Sequence, residues 1–394
     1  MNNDFELTDS QLKEISEAFV EKIKEGLKED EKEIRCIPTY IPSIQLPQNG
    51  DAYAIDLGGT NVRAAIVSFE KGNYFIKKGP CEARMPWSKD KKVYLDTQAK
   101  ALQDLQYKAQ CPLGYCFSFP AKSTFNGDAE LIKWTKKIHV DGVVGENVGE
   151  MLIKYLKRDF SDVQCSKVAV INDTVASLIS GLVKPGFDAY IGLIVGTGTN
   201  MAAFIDADNI PKIREVRKVV YPINLESGNF NPPHLTQWDK RVDDDSQNPR
   251  EQIFEKAVSG AYLGNIFKKV HPESNFNSEI GAEGIAKLLS KSGRNDDYIL
   301  TASQIFERSA KLVAAALAGL INLLNTMNTI ERVGILAEGS LFWGTINGEY
   351  RYLSITKSTL TSLLRELGLN NVVFEFKNIK NANLIGGAIA ALAK

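Results

Sequence analysis

Apolar residues at helical spacing open the chain, and apolar runs of strand length follow. After Thr8, apolar side chains recur every three or four residues from Leu12 to Leu27, which predicts an amphipathic N-terminal helix. Residues 37–50 contain three prolines and predict a linker. Three apolar runs that predict consecutive strands then cover residues 52–57, 62–69 and 73–78.

The rest of the chain alternates predicted helices and strands. Helices are expected at 95–109 and 148–157 and strands at 113–119 and 167–171. A second three-strand pattern begins at Ala189 and is similar enough to the first to predict duplicated halves. Further on we expect a polar loop (228–249), mainly helices to residue 330, strands at 333–337 and 374–376, and a Gly/Ala helix at 386–392. This alternation is typical of an α/β protein.

Two glycine-rich turns follow the first strand of each three-strand pattern. Their sequences are DLGGTN at residues 56–61 and VGTGTN at residues 195–200. Glycine lets a backbone approach a ligand and adopt positive φ, and successive N–H groups form an anion-binding concavity. Two such turns could close on one phosphate chain, or each could be a simple tight hairpin. The position of Asp56 in the first turn is occupied by Val195 in the second. A carboxylate in the first turn alone favours a first turn that binds a metal ion as well as phosphate. A Walker-type phosphate loop is excluded because no GxxxxGK[ST] motif occurs.

Several polar residues have both a structural and a chemical interpretation. Asp173 follows a predicted strand, where it could cap a helix or act as a general base in a cleft. Glu226 and Glu255 could be solvated surface charges, or could accept hydrogen bonds from sugar hydroxyls. Ser118 and Lys136 have no distinctive chemistry when taken singly.

Size, charge and cysteine usage narrow the class of protein. A chain of 394 residues with a net charge of −1 predicts two domains and gives no reason to expect nucleic acid or an anionic membrane. Its five cysteines form no CxxC pair, so neither a disulfide framework nor a zinc ribbon is predicted. The N-terminus is not a signal peptide, and the longest apolar run, 312–321, is too short to span a bilayer. We therefore expect a cytoplasmic protein with reduced thiols.

The order of motifs along the chain resembles the hexokinase family of ATP-dependent hexose kinases. The resemblance spans nearly the whole chain, and its ordered, family-like spacing is highly specific although each motif alone is weak. The segments that carry it are LTDSQLK (7–13), IPTY (37–40), DLGGTNVR (56–63), FSFP (117–120), WTK (134–136), NDT (172–174), GTGTN (196–200), NP (248–249), FEK (254–256) and SG (259–260).

The resemblance implies the actin-like ATPase (ribonuclease H-like) α/β fold, with two domains around a cleft and a mixed five-stranded sheet in each. We expect residues 1–49 to form the N-terminal helix and linker, packed on the large domain. The small domain would comprise 50–172 together with a C-terminal helix at about 380–394, and the large domain 173–379.

The resemblance also implies roles for individual residues. Asp173 would take the proton from the sugar 6-hydroxyl, and Lys136 would neutralise the transferring phosphoryl group of ATP. Asp56 would bind Mg²⁺, through water. The hexose would be surrounded by Ser118, Thr135, Lys136, Asn172, Asp173, Asn200, Glu226 and Glu255. The nucleotide would contact Asp56, Gly58, Gly59, Thr60, Asn61, Thr197, Gly198, Gly339 and Ser340.

The activity so implied is transfer of the γ-phosphoryl group of MgATP to the 6-hydroxyl of a hexose, glucose first, by a monomer or homodimer. Two departures from the family lie on the nucleotide side: Lys137-Ile138 replaces Gly-Phe after WTK, and Glu338 replaces the aspartate of Asp-Gly-Ser. One alternative is a ROK-type sugar kinase, although the chain lacks that family's Cys/His zinc motif. A catalytically silent sugar sensor is another, although Asp56, Lys136 and Asp173 are all present.

Overall fold

The computed structural model describes residues 4–41, 45–135, 138–213, 220–290 and 297–393. The strands are β1 Ile37–Pro38, β2 Asn49–Leu57, β3 Asn61–Glu70, β4 Asn73–Arg84, β5 Cys111–Phe117, β6 Ala121–Ser123, β7 Ala129–Leu131, β8 Cys165–Ile171, β9 Ala189–Val195, β10 Thr199–Asp206, β11 Val220–Asn224, β12 Arg332–Glu338 and β13 Val373–Lys377. The helices are α1 Asp9–Lys28, α2 Lys91–Gln103, α3 Val148–Asp159, α4 Asp173–Ser180, α5 Gln237–Asp244, α6 Ile253–Val258, α7 Gly260–Val270, α8 Gly281–Leu289, α9 Asp297–Met327, α10 Arg351–Glu366 and α11 Ala382–Leu392.

Two mixed sheets with the same internal order organise the described chain. The first sheet runs β4-β3-β2-β5-β8 and the second β1-β11-β10-β9-β12-β13. Apart from β1, each sheet consists of three consecutive antiparallel strands, β2–β4 or β9–β11. Two further strands extend the sheet in parallel beside the earliest of the three: β5 and β8 beside β2, and β12 and β13 beside β9. The predicted duplication of two halves is therefore confirmed. The prediction of five strands in each sheet is wrong for the second, which has six.

The sixth strand comes from the segment predicted to be a linker. Ile37 pairs with Asn224 and Pro38 with Ile223 at the edge of the second sheet. Pro38 is tolerated there because an edge strand needs hydrogen bonds on one side only. The N-terminal segment is thus joined to the second sheet by backbone pairing.

Helix α11 packs on the first sheet at a distance that only glycine permits. A Cβ atom on Gly114 of β5 would lie 2.1 Å from the carbonyl oxygen of Gly387 in α11. The last helix of the chain therefore covers the strands that precede the candidate site. The predicted domain bounds at residues 50, 173 and 380 stay predictions, although α11 does contact the first sheet.

Helix α9 is the central helix beneath the second sheet, and α1 lies against it. Gly319 of α9 allows the contact, since a Cβ atom there would lie 2.5 Å from the carbonyl oxygen of Ser16. With 31 residues, α9 is long and apolar enough to cross a membrane by length and composition, but 72% of its most apolar window is buried inside the protein. This burial is typical of a core helix.

A helix lies within the segment predicted to be a polar loop. Thr236 caps α5 and forms a capping box with Asp239. The Asp239 carboxylate also makes a two-pronged ion pair with Arg308 of α9, and these side chains are only 5% and 1% exposed. The loop prediction for 228–249 was wrong there because a tertiary ion pair stabilises a helix too polar to show an apolar stripe.

Candidate active site

The carboxyl ends of three neighbouring strands place several predicted residues along one edge of the first sheet. Asp56 in β2 pairs with Cys116 in β5, which pairs in turn with Ile171 in β8. Adjacent strands lie about 4.8 Å apart, so Asp56 and the end of β8 are separated by roughly 10 Å. Ser118 and Asn172 directly follow β5 and β8 and lie at the same edge.

Asp173 begins α4 but does not cap it. The capping residue is Asn172, whose side chain accepts a 2.9 Å hydrogen bond from the Thr174 N–H. The same N–H lies 2.9 Å from Oδ1 of Asp173, which orients the carboxylate. Since Asn172 fills the capping position, the structural alternative for Asp173 is weakened and its other oxygen stays available for chemistry.

Asn200 and Glu226 are joined through a residue absent from the predicted site, Asn224. The side-chain amide of Asn200 donates to Oδ1 of Asn224 at 2.8 Å, and Nδ2 of Asn224 donates to Oε1 of Glu226 at 2.7 Å. Glu226 has φ of 55°, a left-handed conformation uncommon outside glycine. Backbone strain held in place by a hydrogen-bond network is typical of functional sites.

Glu255 contacts the second glycine turn directly. Its Oε2 accepts a 3.0 Å hydrogen bond from the backbone N–H of Thr199. Glu255 lies in the short helix α6, which Lys256 secures: that buried ammonium donates to Asp243 at 2.6 Å and to the Asn248 carbonyl at 2.7 Å. The predicted sugar and phosphate residues are therefore in contact at this point.

The second turn meets Gly339 and the start of α7. The amide of Gly260 donates to the Gly196 carbonyl at 2.7 Å. A Cβ atom on Gly339 would lie 2.2 Å from the Val195 carbonyl oxygen. The backbones of Val195 and Gly196 are thus in close contact with that of Gly339, next to Ser340.

Glycine serves these turns through close approach rather than through unusual dihedral angles. Gly58, Gly196 and Gly198 all lack positive φ, whereas Gly339 has φ of 115°. In the first turn, the Gly58 N–H donates to the Asn61 carbonyl at 3.0 Å, and the Thr60 carbonyl accepts from the Met85 N–H at 2.8 Å. The positive φ expected for the two turns was wrong at the three positions.

Asp56 lies in a group of polar side chains between the sheets. Arg63 donates to Oδ2 of Asp56 at 2.6 Å, and Nδ2 of Asn383 lies 3.4 Å from Oδ1. Burial, with the carboxylates of Asp56 and Asp173 nearby, raises the pKa of Cys116 well above its usual range. Burial also raises the pKa of Glu338 to about 7, with Arg63 opposing the shift and Asp56 adding to it.

This group fits a water-rich magnesium site better than a protein cage. Mg²⁺ keeps several waters and takes one or two carboxylates together with substrate phosphates. Asp56 and Glu338 are close enough for their charges to interact, and no group of three His, Cys, Asp or Glu suited to hold a metal occurs among the described residues. Asp56 can therefore contribute to Mg²⁺ binding, with water completing the coordination.

The WTK segment is described only as far as Thr135. Lys136, and Lys137 beside it, lie outside the described residues. Thr135 follows Trp134, whose ring packs 4.9 Å from Phe119 and whose Nε1 donates to the Val140 carbonyl at 3.0 Å. Those contacts hold Trp134 against the strand end that carries Ser118.

Two of the predicted sugar residues, Asn172 and Glu226, border a small inner cavity. The inner cavity, about 20 Å³, is lined among others by Asn172, Asn224 and Glu226. Another described cavity, of about 700 Å³, lies next to the inner one and shares Ile37 and Ser123 with it. None of the predicted site residues that the structure describes lines this outer cavity. A space of about 20 Å³ holds a water molecule rather than a hexose, so this cavity by itself is not the hexose site.

Sequence reasoning missed the residues that support the site. Asn224, Arg63, Cys116 and Asn383 all touch predicted residues, and the buried Oγ of Ser259 has no hydrogen-bond partner in the described ranges. Asn224 lies two residues before Glu226 in the sequence, which was the available signal. Asn383 could not be found, since it lies 327 positions from its partner Asp56.

Repeated α/β units with glycine turns at their facing strand ends define the actin-like ATPase class of fold. Two sequence models described as hexokinase match the chain, one over residues 1–183 and the other over 190–273 and 295–393. The chain belongs to the hexokinase family.

Relatives and solved structures agree with this assignment. Hexokinase-1 of Nicotiana tabacum is 35% identical over 66% of this chain and 56% of its own length. Hexokinase-7 of rice is 29% identical over 98% of this chain and 94% of its own length. The chain thus spans about half the length of the first relative and nearly all of the second.

Among solved structures, the Schistosoma mansoni hexokinase complexed with glucose superposes with a TM-score of 0.82, at 26% identity over 98% of this chain and 96% of that one. A ROK family glucokinase from Streptomyces griseus superposes with a TM-score of 0.55, at 16% identity over 87% of this chain and 99% of that one. The second match supports the shared fold alone.

Proposed function

We propose that this protein is an ATP-dependent hexokinase, which transfers the γ-phosphoryl group of MgATP to the 6-hydroxyl of a hexose. Glucose is the first candidate, since the structurally similar Schistosoma enzyme is described as a glucose complex. The observation that carries the proposal is the Glu255–Thr199 hydrogen bond, which joins a candidate sugar carboxylate to a candidate phosphate turn. An enzyme that passes a phosphoryl group to a sugar needs these two sites in contact.

Sugar recognition would depend on the carboxylates and amides around the inner cavity. Each carboxylate oxygen accepts hydrogen bonds from hydroxyl donors, and a buried acceptor left unpaired disfavours analogues that lack the hydroxyl. Asn224 holds Glu226 in place, and the Thr199 N–H holds Glu255. We propose that these acceptors, with Asn172 and Asn200, set the orientation of the hexose.

Asp173 would act as the general base. Its Oδ1 is held by the Thr174 N–H, so the carboxylate has a defined direction at the start of α4. A positioned base contributes roughly 10² to 10⁴ in rate. Asp173 would take the proton of the 6-hydroxyl as that oxygen attacks the γ-phosphorus, while Lys136 would neutralise charge on the transferring group.

Asp56 would hold Mg²⁺ through water, with Glu338 nearby and Arg63 and Asn383 fixing the carboxylate. Bound Mg²⁺ would offset the negative charge of the phosphates. Phosphoryl transfer depends mainly on positioning and on such charge stabilisation. We propose that the backbone of both glycine turns positions the phosphates.

Closure of the cleft would keep water from competing as acceptor. In such a closure the two sheets would approach each other around the bound hexose. Binding energy from the correct sugar would drive this closure, which discriminates against water. Nζ of Lys133 lies 3.1 Å from Oε2 of Glu251 at the edge of the outer cavity. Both side chains are about half exposed, so this ion pair would contribute little to the free energy of closure.

The deciding experiment measures ADP release from MgATP with and without glucose, coupled to a dehydrogenase that reads glucose 6-phosphate. Glucose-dependent ADP release matched by glucose 6-phosphate is the expected result. Activity with another hexose only would retain the chemistry and change the substrate. Sugar binding by calorimetry without turnover would favour a sugar sensor.

The other expectations remain predictions: a monomer or homodimer, no nucleic acid or membrane partner, and a cytoplasmic location. The same coupled assay with glucose, mannose, fructose and amino sugars would determine which hexose is preferred.

A further inference from the structure

Gly198 lies in the turn assigned to phosphate, yet its nearest neighbour is the carboxylate of Glu255. A Cβ atom at Gly198 would lie 2.6 Å from Oε2 and 3.4 Å from Cδ of Glu255. Real Cβ atoms do not approach oxygen so closely, so any side chain at position 198 would displace this carboxylate. The neighbouring Thr199 N–H donates to the same oxygen at 3.0 Å.

A second glycine bounds Glu255 on another side. A Cβ atom on Gly228 would lie 3.3 Å from Cβ of Glu255 and 3.8 Å from its Oε2. Glu255 therefore fits a slot formed by two glycine backbones, and a backbone N–H fixes its carboxylate. This arrangement restricts the rotamers of Glu255 through shape as well as through hydrogen bonding.

The first turn lacks this relationship. A Cβ atom on Gly58 would meet only the Asn61 carbonyl oxygen, at 3.6 Å, which is ordinary contact. Gly58 and Gly198 both lack positive φ, so alanine could be placed at either position without backbone strain. The two turns look alike in sequence, but of these two glycines Gly198 alone meets a candidate sugar ligand among the described residues.

We propose that Gly198 is a positioning residue for hexose binding: the absence of its side chain lets Glu255 take the orientation that accepts sugar hydroxyls. The inference rests on the proposed function, in which Glu255 is a sugar ligand. It adds that the second turn, assigned to the nucleotide, also determines sugar affinity. The two substrates share a structural element rather than only adjoining sites.

The test measures glucose binding to nucleotide-free protein by calorimetry for the wild type, Gly198→Ala, Gly58→Ala and Glu255→Ala. Gly198→Ala should weaken glucose binding roughly ten- to a hundredfold, the effect of misplacing a charged hydrogen-bond partner. Its thermal midpoint should change little, since a flexible carboxylate end yields to the new methyl group. Gly58→Ala in the first turn, where the added methyl group meets only ordinary contact, should leave the glucose affinity of the nucleotide-free protein unchanged.

The double variant Gly198→Ala/Glu255→Ala shows whether Gly198 acts through Glu255. Apparent glucose KM should be within about twofold of that of Glu255→Ala alone, because contacting residues are non-additive. Independent, additive losses would overturn the proposal, as would wild-type affinity in Gly198→Ala. Should Gly198→Ala fail to fold, hydrogen exchange of the wild-type turn decides: glucose alone should slow exchange at 196–199, and unchanged exchange overturns the inference.

Failure of the proposed function has a different signature. A wild type that binds no hexose overturns both the function and the inference. Normal glucose affinity in Glu255→Ala removes Glu255 from the sugar site and overturns that part of the proposed function, whatever Gly198→Ala does. Loss in Glu255→Ala with normal binding in Gly198→Ala overturns the inference alone.

Discussion

Nδ2 of Asn224 lies 2.7 Å from Oε1 of Glu226 and holds this carboxylate beside the inner cavity. The opposite end of the same side chain accepts from Asn200 at 2.8 Å and from the backbone of Glu226 at 3.3 Å. Asn224 is only 6% exposed, at the end of an inner strand of the second sheet. One buried amide therefore sets the positions of two candidate sugar ligands.

Replacing Asn224 with aspartate should weaken sugar binding in a pH-dependent way. The new carboxylate would face Glu226 at hydrogen-bond distance, and two like charges raise the pKa of one member of the pair. We expect the apparent glucose KM to rise roughly tenfold or more at pH 8 and to recover as the pH falls toward 6, because a protonated carboxyl can donate as the amide does.

Steady-state kinetics from pH 6 to 8 measures this effect. The KM for ATP should change far less than the KM for glucose. Asn371→Asp is the matched control, since Asn371 is exposed before β13 and should behave as the wild type. A pH-independent loss shared by both substrates would mean that Asn224 acts only on the fold.

Replacing Asp173 with alanine should abolish turnover and preserve sugar binding. Loss of a positioned base lowers kcat by roughly 10² to 10⁴, while α4 keeps its cap at Asn172. Coupled kinetics gives kcat and calorimetry gives the dissociation constant of glucose. Asp9→Ala is the control, because Asp9 occupies the same first position of α1. Loss of binding together with turnover would assign Asp173 a structural role.

Replacing Arg308 with leucine should destabilise the protein by about 3–5 kcal/mol, since it leaves the Asp239 carboxylate buried without its counter-charge. Burial by itself would raise the pKa of Asp239, but Arg308 together with the hydrogen bonds from Thr236 outweighs burial and holds that pKa below its usual value. The stabilisation is thus present near neutral pH and lost as acid protonates Asp239.

Urea unfolding at pH 7 and at lower pH tests this relationship. The difference between Arg308→Leu and wild type should shrink as the pH falls through the folded-state pKa of Asp239. Arg332→Leu provides the surface comparison, because its pair with Glu375 is about half exposed and should contribute about 0–1 kcal/mol. Equal effects of the two substitutions would refute the prediction.

Replacing Glu338 with glutamine should make the protein more stable above neutral pH. The folded-state pKa of Glu338 is about 7 against an ordinary value of 4.5, so the fold favours the protonated form. Its stabilising contribution is complete below pH 4.5 and is lost as the pH rises toward 7. Glutamine does not titrate, so the advantage of Glu338→Gln should grow between pH 5 and 8.

Urea unfolding midpoints of Glu338→Gln and of the wild type, measured between pH 5 and 8, test this prediction. The control is Glu283→Gln on α8, where a hydrogen bond from Lys287 lowers the pKa of the carboxyl and the trend should be absent or reversed. Parallel pH profiles for Glu338→Gln and wild type would show that Glu338 ionises normally in the folded protein.

Local pattern predicted most elements because the relevant forces act between neighbouring residues. Strand alternation identified the two three-strand units, and the bounds differ from the structure by a few residues. Helix α2 begins at Lys91 rather than residue 95 because Asp90 caps it. Strand β1 and helix α5 were missed because each depends on a distant partner, namely β11 and Arg308.

The amino-acid sequence by itself determined the repeated strand–turn–strand units, the hexokinase motifs and the identity of nearly every residue proposed to touch substrate. The strand–turn–strand units follow from local spacing and residue type, and the candidate substrate residues follow from the resemblance of the ordered motifs to the hexokinase family. Only the tertiary structure decided that Glu255 contacts the second turn, that Asn224 supports Glu226, and that Asn383 reaches Asp56 across 327 positions. The reason is physical: side-chain positions at a cleft depend on how two sheets and a terminal helix pack, and no local pattern encodes such distances.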